Sequence, residues 1–136
     1  MSTFLLEMVT PEKILLSIPV RSVRAPGIEG SLGILANHAP LMTALMTGLI
    51  KVEHENGDEE YIATSGGFME VNRTKTIILA DTAERAADID VVRAEAAVAR
   101  AKEELAGGGS VDFHQASESM ARALNRLKVV KLKNEK

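Results

Sequence analysis

The stretch Ile77-Ile78-Leu79-Ala80-Asp81-Thr82-Ala83-Glu84-Arg85-Ala86-Ala87-Asp88-Ile89-Asp90-Val91-Val92-Arg93-Ala94 is where the chain changes its hydrophobic period. Upstream, apolar residues alternate over short runs: Phe4, Leu6 and Met8, then Ile14, Leu16 and Ile18, with Ile77 and Leu79 in a compact run before Asp81. A period of two sends alternate side chains to one face of a strand. Downstream of Asp88, Val91, Ala94, Val98, Ala101 and Leu105 step by 3, 4, 3 and 4, which aligns them along one seam of an α-helix. Strand-forming sequence over residues 1–84 is thus followed by helical sequence over residues 85–136.

On the strand side, Asn56-Gly57 is the strongest turn signal, set between Ile50-Lys51-Val52-Glu53 and Tyr61-Ile62-Ala63. Both turn residues tolerate positive φ, so a tight hairpin is expected there. Pro11, Pro19, Pro26 and Pro40 are expected at strand boundaries, where no ladder donor is required. The glycines of Ser65-Gly66-Gly67 read as a bend or bulge. Turns recur every several residues with no helical segment between them, the pattern of an antiparallel β-sandwich or flattened barrel.

On the helical side, Phe113, Ala116, Met120, Ala123, Leu127 and Val130 step by 3, 4, 3, 4 and 3 and form a second seam. Between the seams lies Gly107-Gly108-Gly109-Ser110, a helix stop followed by a start, with Ser110 or Asp112 as the cap and Gln115 placed for a capping box with Asp112. So short a link makes the two helices antiparallel. The fold class is therefore α+β, an N-terminal antiparallel β-sandwich followed by a C-terminal antiparallel two-helix hairpin. The first seam is mostly Ala and Val, which allows close approach but buries little area. Such a hairpin is marginally stable alone and able to leave the surface on which it packs.

The chain has 136 residues, enough for one ordinary domain or a small domain with an appendage. It contains no cysteine, which removes disulfides, thiolate metal sites and thiol nucleophiles. Aromatics are 3%, too few for a single-stranded nucleic-acid platform. No apolar run reaches the roughly 20 residues a membrane helix needs. Met1 leads directly into the alternating segment around Phe4, leaving no room for a signal or transit peptide, so a cytosolic location is expected. The net charge of −3 is uneven: residues 1–88 carry 7 basic and 12 acidic side chains, residues 89–136 carry 9 and 7. Arg122, Arg126, Lys128, Lys131, Lys133 and Lys136 face only Glu135 at the end, a balance that suits an acidic partner as well as a solvated helix face.

Few constellations carry chemistry. His38, His54 and His114 have no metal-ligand spacing to one another, so no metal site is expected. His54 and His114 read as surface residues, and His38, in Asn37-His38-Ala39-Pro40-Leu41, as a loop contact residue. Ser65-Gly66-Gly67 lacks the preceding glycine of a nucleophile elbow, and Gly107-Gly108-Gly109-Ser110 lacks the strand and the Lys of a phosphate loop, so no catalytic residue is assigned. One arrangement has more content. Asp90 and Arg93 sit at i, i+3 near the start of the first helix, and Arg122 and Arg126 at i, i+4 on the second. In an antiparallel hairpin the four side chains can converge, either as an interhelical ion cluster or as a site for a polyphosphate and ribose.

Residues 27–41, Gly27-Ile28-Glu29-Gly30-Ser31-Leu32-Gly33-Ile34-Leu35-Ala36-Asn37-His38-Ala39-Pro40-Leu41, resemble a stretch of the ε subunit of bacterial and chloroplast F-type ATP synthases. Ser65-Gly66-Gly67-Phe68-Met69-Glu70-Val71 and Ile77-Ile78-Leu79-Ala80-Asp81-Thr82-Ala83-Glu84 extend the resemblance over nearly the whole chain, with Ala36 standing where the family commonly has Pro. The resemblance implies a β-sandwich that binds the rotor's γ subunit and rests on the membrane c-ring, with Glu29, Gly30, Ser31 and His38 as contact residues. It also implies a hairpin that extends towards the catalytic β and α subunits and inhibits ATP hydrolysis. No catalytic role and no required cofactor follow from it.

Ile89-Asp90-Val91-Val92-Arg93-Ala94 is similar to the family's ATP-binding signature, which implies ATP as a regulatory ligand on Asp90, Arg93, Ala94, Arg122 and Arg126. The implied location is peripheral, on the cytoplasmic face of a bacterial plasma membrane or the stromal face of a thylakoid, with no nucleic-acid partner. The alternative is a stand-alone ATP-sensing module, separated by whether the chain co-purifies with a membrane ATPase. A small nucleic-acid binder using the basic tail ranks below it, and a hydrolase last.

Overall fold

The computed structural model describes residues 2–107 and 112–134; Met1, Gly108, Gly109, Ser110, Glu135 and Lys136, named above, lie outside them. Nine strands come first: β1 (Phe4–Val9), β2 (Ile14–Gly27), β3 (Gly30–Leu35), β4 (Leu41–Leu45), β5 (Gly48–His54), β6 (Glu59–Thr64), β7 (Gly67–Val71), β8 (Lys75–Ala80) and β9 (Ala83–Arg85). A 3-10 turn at Ala86–Asp88 leads into α1 (Val91–Gly107), and α2 (Phe113–Asn134) follows. The strand order is β1-β8-β7-β4-β2-β5-β6-β9, with β3 on β2 and β1 also paired with β2. Strands β1, β8, β7, β4 and β2 thus close on themselves, and β5, β6 and β9 extend from β2 as the second layer of a sandwich.

All the described pairings are antiparallel except β1 with β8, which is parallel. The sandwich is thus antiparallel as expected, with this one pair as the exception. A parallel pair needs a long crossover between its strands, and here everything from β2 to β7 supplies it.

Alternation sets the core as expected in β1, where Phe4, Leu6 and Met8 are buried. With Leu16, Val20, Val23, Ile34, Ile50, Val52, Ile62, Met69, Val71 and Ile78 they form one continuous cluster between the layers. In β8 it is Ile78 and Ala80 that face inward, while Leu79 is exposed. Ile14 is also exposed, at the first residue of β2. The hairpin at Asn56-Gly57 has a four-residue connection, residues 55–58, and only Gly57 takes positive φ, at 94°. The Gly57 amide donates to His54 O, closing a turn that a left-handed glycine follows, so two positive φ values are not needed. Pro11 and Pro40 lie between strands, but Pro19 and Pro26 lie inside β2. Pro19 is opposite Leu5 of β1 on a stretch not yet flanked by β5, so its missing donor breaks no second ladder.

The seam of α1 is as read, with Ala94, Val98 and Ala101 buried. In α2 the buried residues are Ala116, Ala123 and Val129, whereas Phe113 is exposed and Val130 only partly covered. The difference arises because α2 packs on two bodies. One stripe meets α1, and another, through Val129 and Leu132, meets Tyr61, Ala63, Ala86 and Ile89 in a second, smaller apolar cluster. Helix α1 packs on α2 and has only marginal contact with the strands. Asp112 caps α2 by accepting the Gln115 amide at 3.1 Å.

Candidate functional site

Where α2 crosses the sandwich it roofs an open cleft of about 460 Å³ lined by Thr47, Ser65, Asp81, Thr82, Glu118, Ala121, Arg122 and Arg126. The floor is the corner at which β6 turns into β7. Gly66 and Gly67 hold φ of 119° and 142°, and a Cβ on Gly67 would lie 2.1 Å from Leu79 O. Only glycine lets β7 approach β8 this closely. Hydroxyls tie the corner together: Thr82 Oγ1 donates to Ser65 Oγ at 2.7 Å, Thr64 Oγ1 to Thr82 O at 3.0 Å, and Thr47 Oγ1 to Ser65 O at 3.2 Å. On the roof, Arg126 Nε donates to Glu84 Oε1 at 2.6 Å and Arg122 Nη2 to Ser119 Oγ at 3.2 Å. Asn125, between the two arginines, reaches down to donate to Gly48 O at 2.7 Å.

The four side chains expected to converge are not assembled into one cluster. Arg122 and Arg126 share the cleft, but Asp90 and Arg93 do not line it. Asp90 is the cap of α1, its Oδ1 accepting the Arg93 amide at 3.0 Å, and the Arg93 side chain is exposed. Ile89 is buried in the second apolar cluster, and Ala94 is buried. The Ile-Asp-x-x-Arg-Ala run thus starts α1: an apolar anchor, an N-cap and a small residue where the helices touch.

A second surface lies on the outer face of β4, β7 and β8. In the register, Ala44 pairs with Phe68 and Phe68 with Leu79, while Met42 pairs with Glu70 and Glu70 with Ile77. These residues share one face. Met42, Phe68 and Leu79 are 69%, 58% and 56% exposed on it. Grouped exposed apolar side chains on a sheet face mark an interaction surface. Sequence reading placed contact residues elsewhere and missed this one; its signal was a Phe and a Leu on the non-core parity of β7 and β8.

Of the expected contact residues, Glu29, Gly30 and Ser31 are exposed at the tip of the β2–β3 hairpin, where Gly30 has φ of 133° and Arg24 Nη1 donates to Ser31 Oγ at 3.4 Å. His38 is partly buried in the β3–β4 loop, its Nδ1 2.7 Å from Ala39 O. The two do not come together: they are at opposite ends of β3, whose residues 30–35 alone span about 17 Å at about 3.3 Å per residue. His54 bridges to Glu60 and His114 to Glu118.

Residues 3–86 match the family described as "ATP synthase, Delta/Epsilon chain, beta-sandwich domain", and residues 87–131 match "ATP synthase, Delta/Epsilon chain, long alpha-helix domain". Among characterised relatives, the ATP synthase epsilon chain of Desulforamulus reducens is 49% identical over 124 residues, covering 90% of this chain and 93% of that one. The epsilon chain of Syntrophomonas wolfei is 44% identical over 128 residues, 93% of each. Two cryo-EM structures share the fold. A chain of the Euglena gracilis mitochondrial ATP synthase aligns with a TM-score of 0.82 at 24% identity, over 94% of this chain and 81% of that one. A chain of the Tetrahymena thermophila mitochondrial ATP synthase, solved as its central stalk and c-ring, aligns with a TM-score of 0.59 at 17% identity, over 95% and 97%. A β-sandwich and a helix pair, both matched in order and over nearly the full length, place this chain in the ATP synthase delta/epsilon family.

Proposed function

We propose that the chain is a non-catalytic central-stalk subunit of a rotary, ion-translocating ATP synthase, which couples the rotor to the catalytic head and restrains ATP hydrolysis through its C-terminal hairpin. The observation that carries this reading is the separation of the two apolar clusters. The core between the sheets is complete without the helices, and the hairpin is attached through one stripe of α2. A stiff sandwich suits transmission of rotation, and a helix pair with few attachments suits a brake that swings towards the catalytic β and α subunits.

The partners in this reading are the γ subunit on the face of Met42, Phe68 and Leu79, and the c-ring at the exposed tip of Glu29, Gly30 and Ser31, with His38 meeting the rotor at the other end of β3. Among the described residues no helix is long and apolar enough to cross a membrane, in keeping with peripheral attachment through the complex. ATP is the proposed regulatory ligand. Two guanidiniums over one open cleft suit a polyphosphate, and Asp90, Arg93 and Ala94 at the start of α1, which already packs on α2, are the further residues of the proposed site.

Deleting residues 89–136 from an assembled complex tests the brake. The expected results are a folded truncated subunit and faster ATP hydrolysis; an unchanged hydrolysis rate refutes the inhibitory role. Pull-down from detergent-solubilised membranes that recovers no γ or c subunit refutes the stalk assignment.

A further inference from the structure

The docking stripe of α2 contains a polar pair that apolar packing does not require. Asn125 is partly buried, and its amide donates to Gly48 O at 2.7 Å and to Thr64 O at 3.5 Å. Those carbonyls belong to the terminal pair of the β5–β6 ladder, where Gly48 is opposite Thr64. One residue on, Arg126 donates from Nε to Glu84 Oε1 at 2.6 Å, which ties α2 to β9. One turn further, Val129 is fully buried against Tyr61, Ala63, Ala86 and Ile89. Helix α1 contributes almost nothing to the attachment, because it packs on α2.

We propose that Asn125, supported by the Arg126–Glu84 pair, is the latch that holds the hairpin on the sandwich in the absence of any ligand. The inference rests on the hairpin being the mobile element. Specificity follows from geometry. An amide donating to both carbonyls of one terminal ladder pair fits one rotation of α2 and one position along its axis, whereas Val129 tolerates sliding. Glu84 gives Arg126 an anionic partner of the chain's own, so the docked state does not wait for a nucleotide. Releasing α2 returns the amide and two carbonyls to water together with the guanidinium and carboxylate.

The test uses the full-length chain. It has no cysteine, so spin labels at Cys introduced in place of the exposed residues Glu55 and Lys131 are the only ones present. Pulsed dipolar spectroscopy then gives the docked and undocked populations. Asn125→Asp is nearly isosteric but turns an acceptor towards two carbonyls, and it should raise the undocked-to-docked ratio by about tenfold or more, the equivalent of one hydrogen bond lost. Glu84→Gln, which lies outside α2 and leaves its helicity untouched, should raise the ratio a fewfold. Wild-type populations in both variants overturn the latch. The brake is read separately, from ATP hydrolysis by the assembled complex: undocking in the free variants with unchanged hydrolysis refutes the brake and leaves the latch standing.

Discussion

Replacing Phe68 by Ser tests whether the outer face of β4, β7 and β8 is where γ binds. Phe68 is 58% exposed, opposite Ala44 and Leu79 and outside the core between the sheets. A phenylalanine offers about 200 Å² of largely apolar surface, so about 120 Å² of it is open to a partner. At about 25 cal/mol per Å², covering that surface contributes about 3 kcal/mol, or about two factors of ten in Kd. The substitution leaves the core intact, so thermal unfolding of the isolated chain should move by no more than a surface change does, within about 0.5 kcal/mol. Titration calorimetry of purified γ subunit with the wild-type and Phe68→Ser chains gives the comparison. A folded variant that binds γ with wild-type affinity refutes the placement. Loss of binding together with a large loss of stability would show instead that the side chain belongs to the sandwich.

Thr76 is fully buried on β8 and its Oγ1 has no hydrogen-bond partner among the described residues, so Thr76→Val should stabilise the chain by about 1–2 kcal/mol in chemical denaturation; a lower midpoint would mean that the hydroxyl is satisfied. Charge reversal at Glu29 combined with a bulky residue at Ser31, both exposed at the β2–β3 tip, should weaken ATP-driven ion pumping in reconstituted vesicles while the isolated subunit stays folded; unchanged pumping counts against c-ring contact there. Arg126→Ala should lower ATP affinity about ten- to a hundredfold, the loss of a charge-assisted contact of about 1.5–3 kcal/mol. No heat and no thermal shift with wild-type chain at millimolar ATP would leave Arg126 as a partner of Glu84 alone.

Residues whose role depends on one neighbour in sequence were legible. Phe4, Leu6 and Met8 alternate because a pleat has two faces, and Ala94, Val98 and Ala101 follow the turn of a helix; both patterns need nothing beyond the local chain. Gly57 was legible for the same reason, although the connection is longer than the tightest hairpin. Roles set by a distant partner were less so. Whether Leu79 or Ile78 faces inward depends on the register between β7 and β8, which a run of three apolar residues leaves open. Arg122 and Arg126 were correctly paired along α2, but periodicity cannot tell which of two bodies an arginine faces, and Arg126 is held by Glu84, 42 residues away in sequence. Asp90 was weighed as a ligand-binding carboxylate, and its position before Val91 equally made it a cap. Asn125 left no trace, since its partners are backbone carbonyls.

Strand β2, fourteen residues long, gives up β1 as a partner and takes on β5 and β3 along its length, so it belongs to both layers at once. Its end is the tip that carries Glu29. Against a force along the strand axis at that tip, the ladders on both flanks resist together in shear instead of opening one bond at a time. Neither layer can slide on the other without tearing this shared strand. The sandwich therefore behaves as a stiff elastic body with little lag between its two ends, and α2, seated across the far layer by a single stripe, is the compliant joint. In a molecule that turns, deformation under torque would concentrate at that joint and spare the shaft.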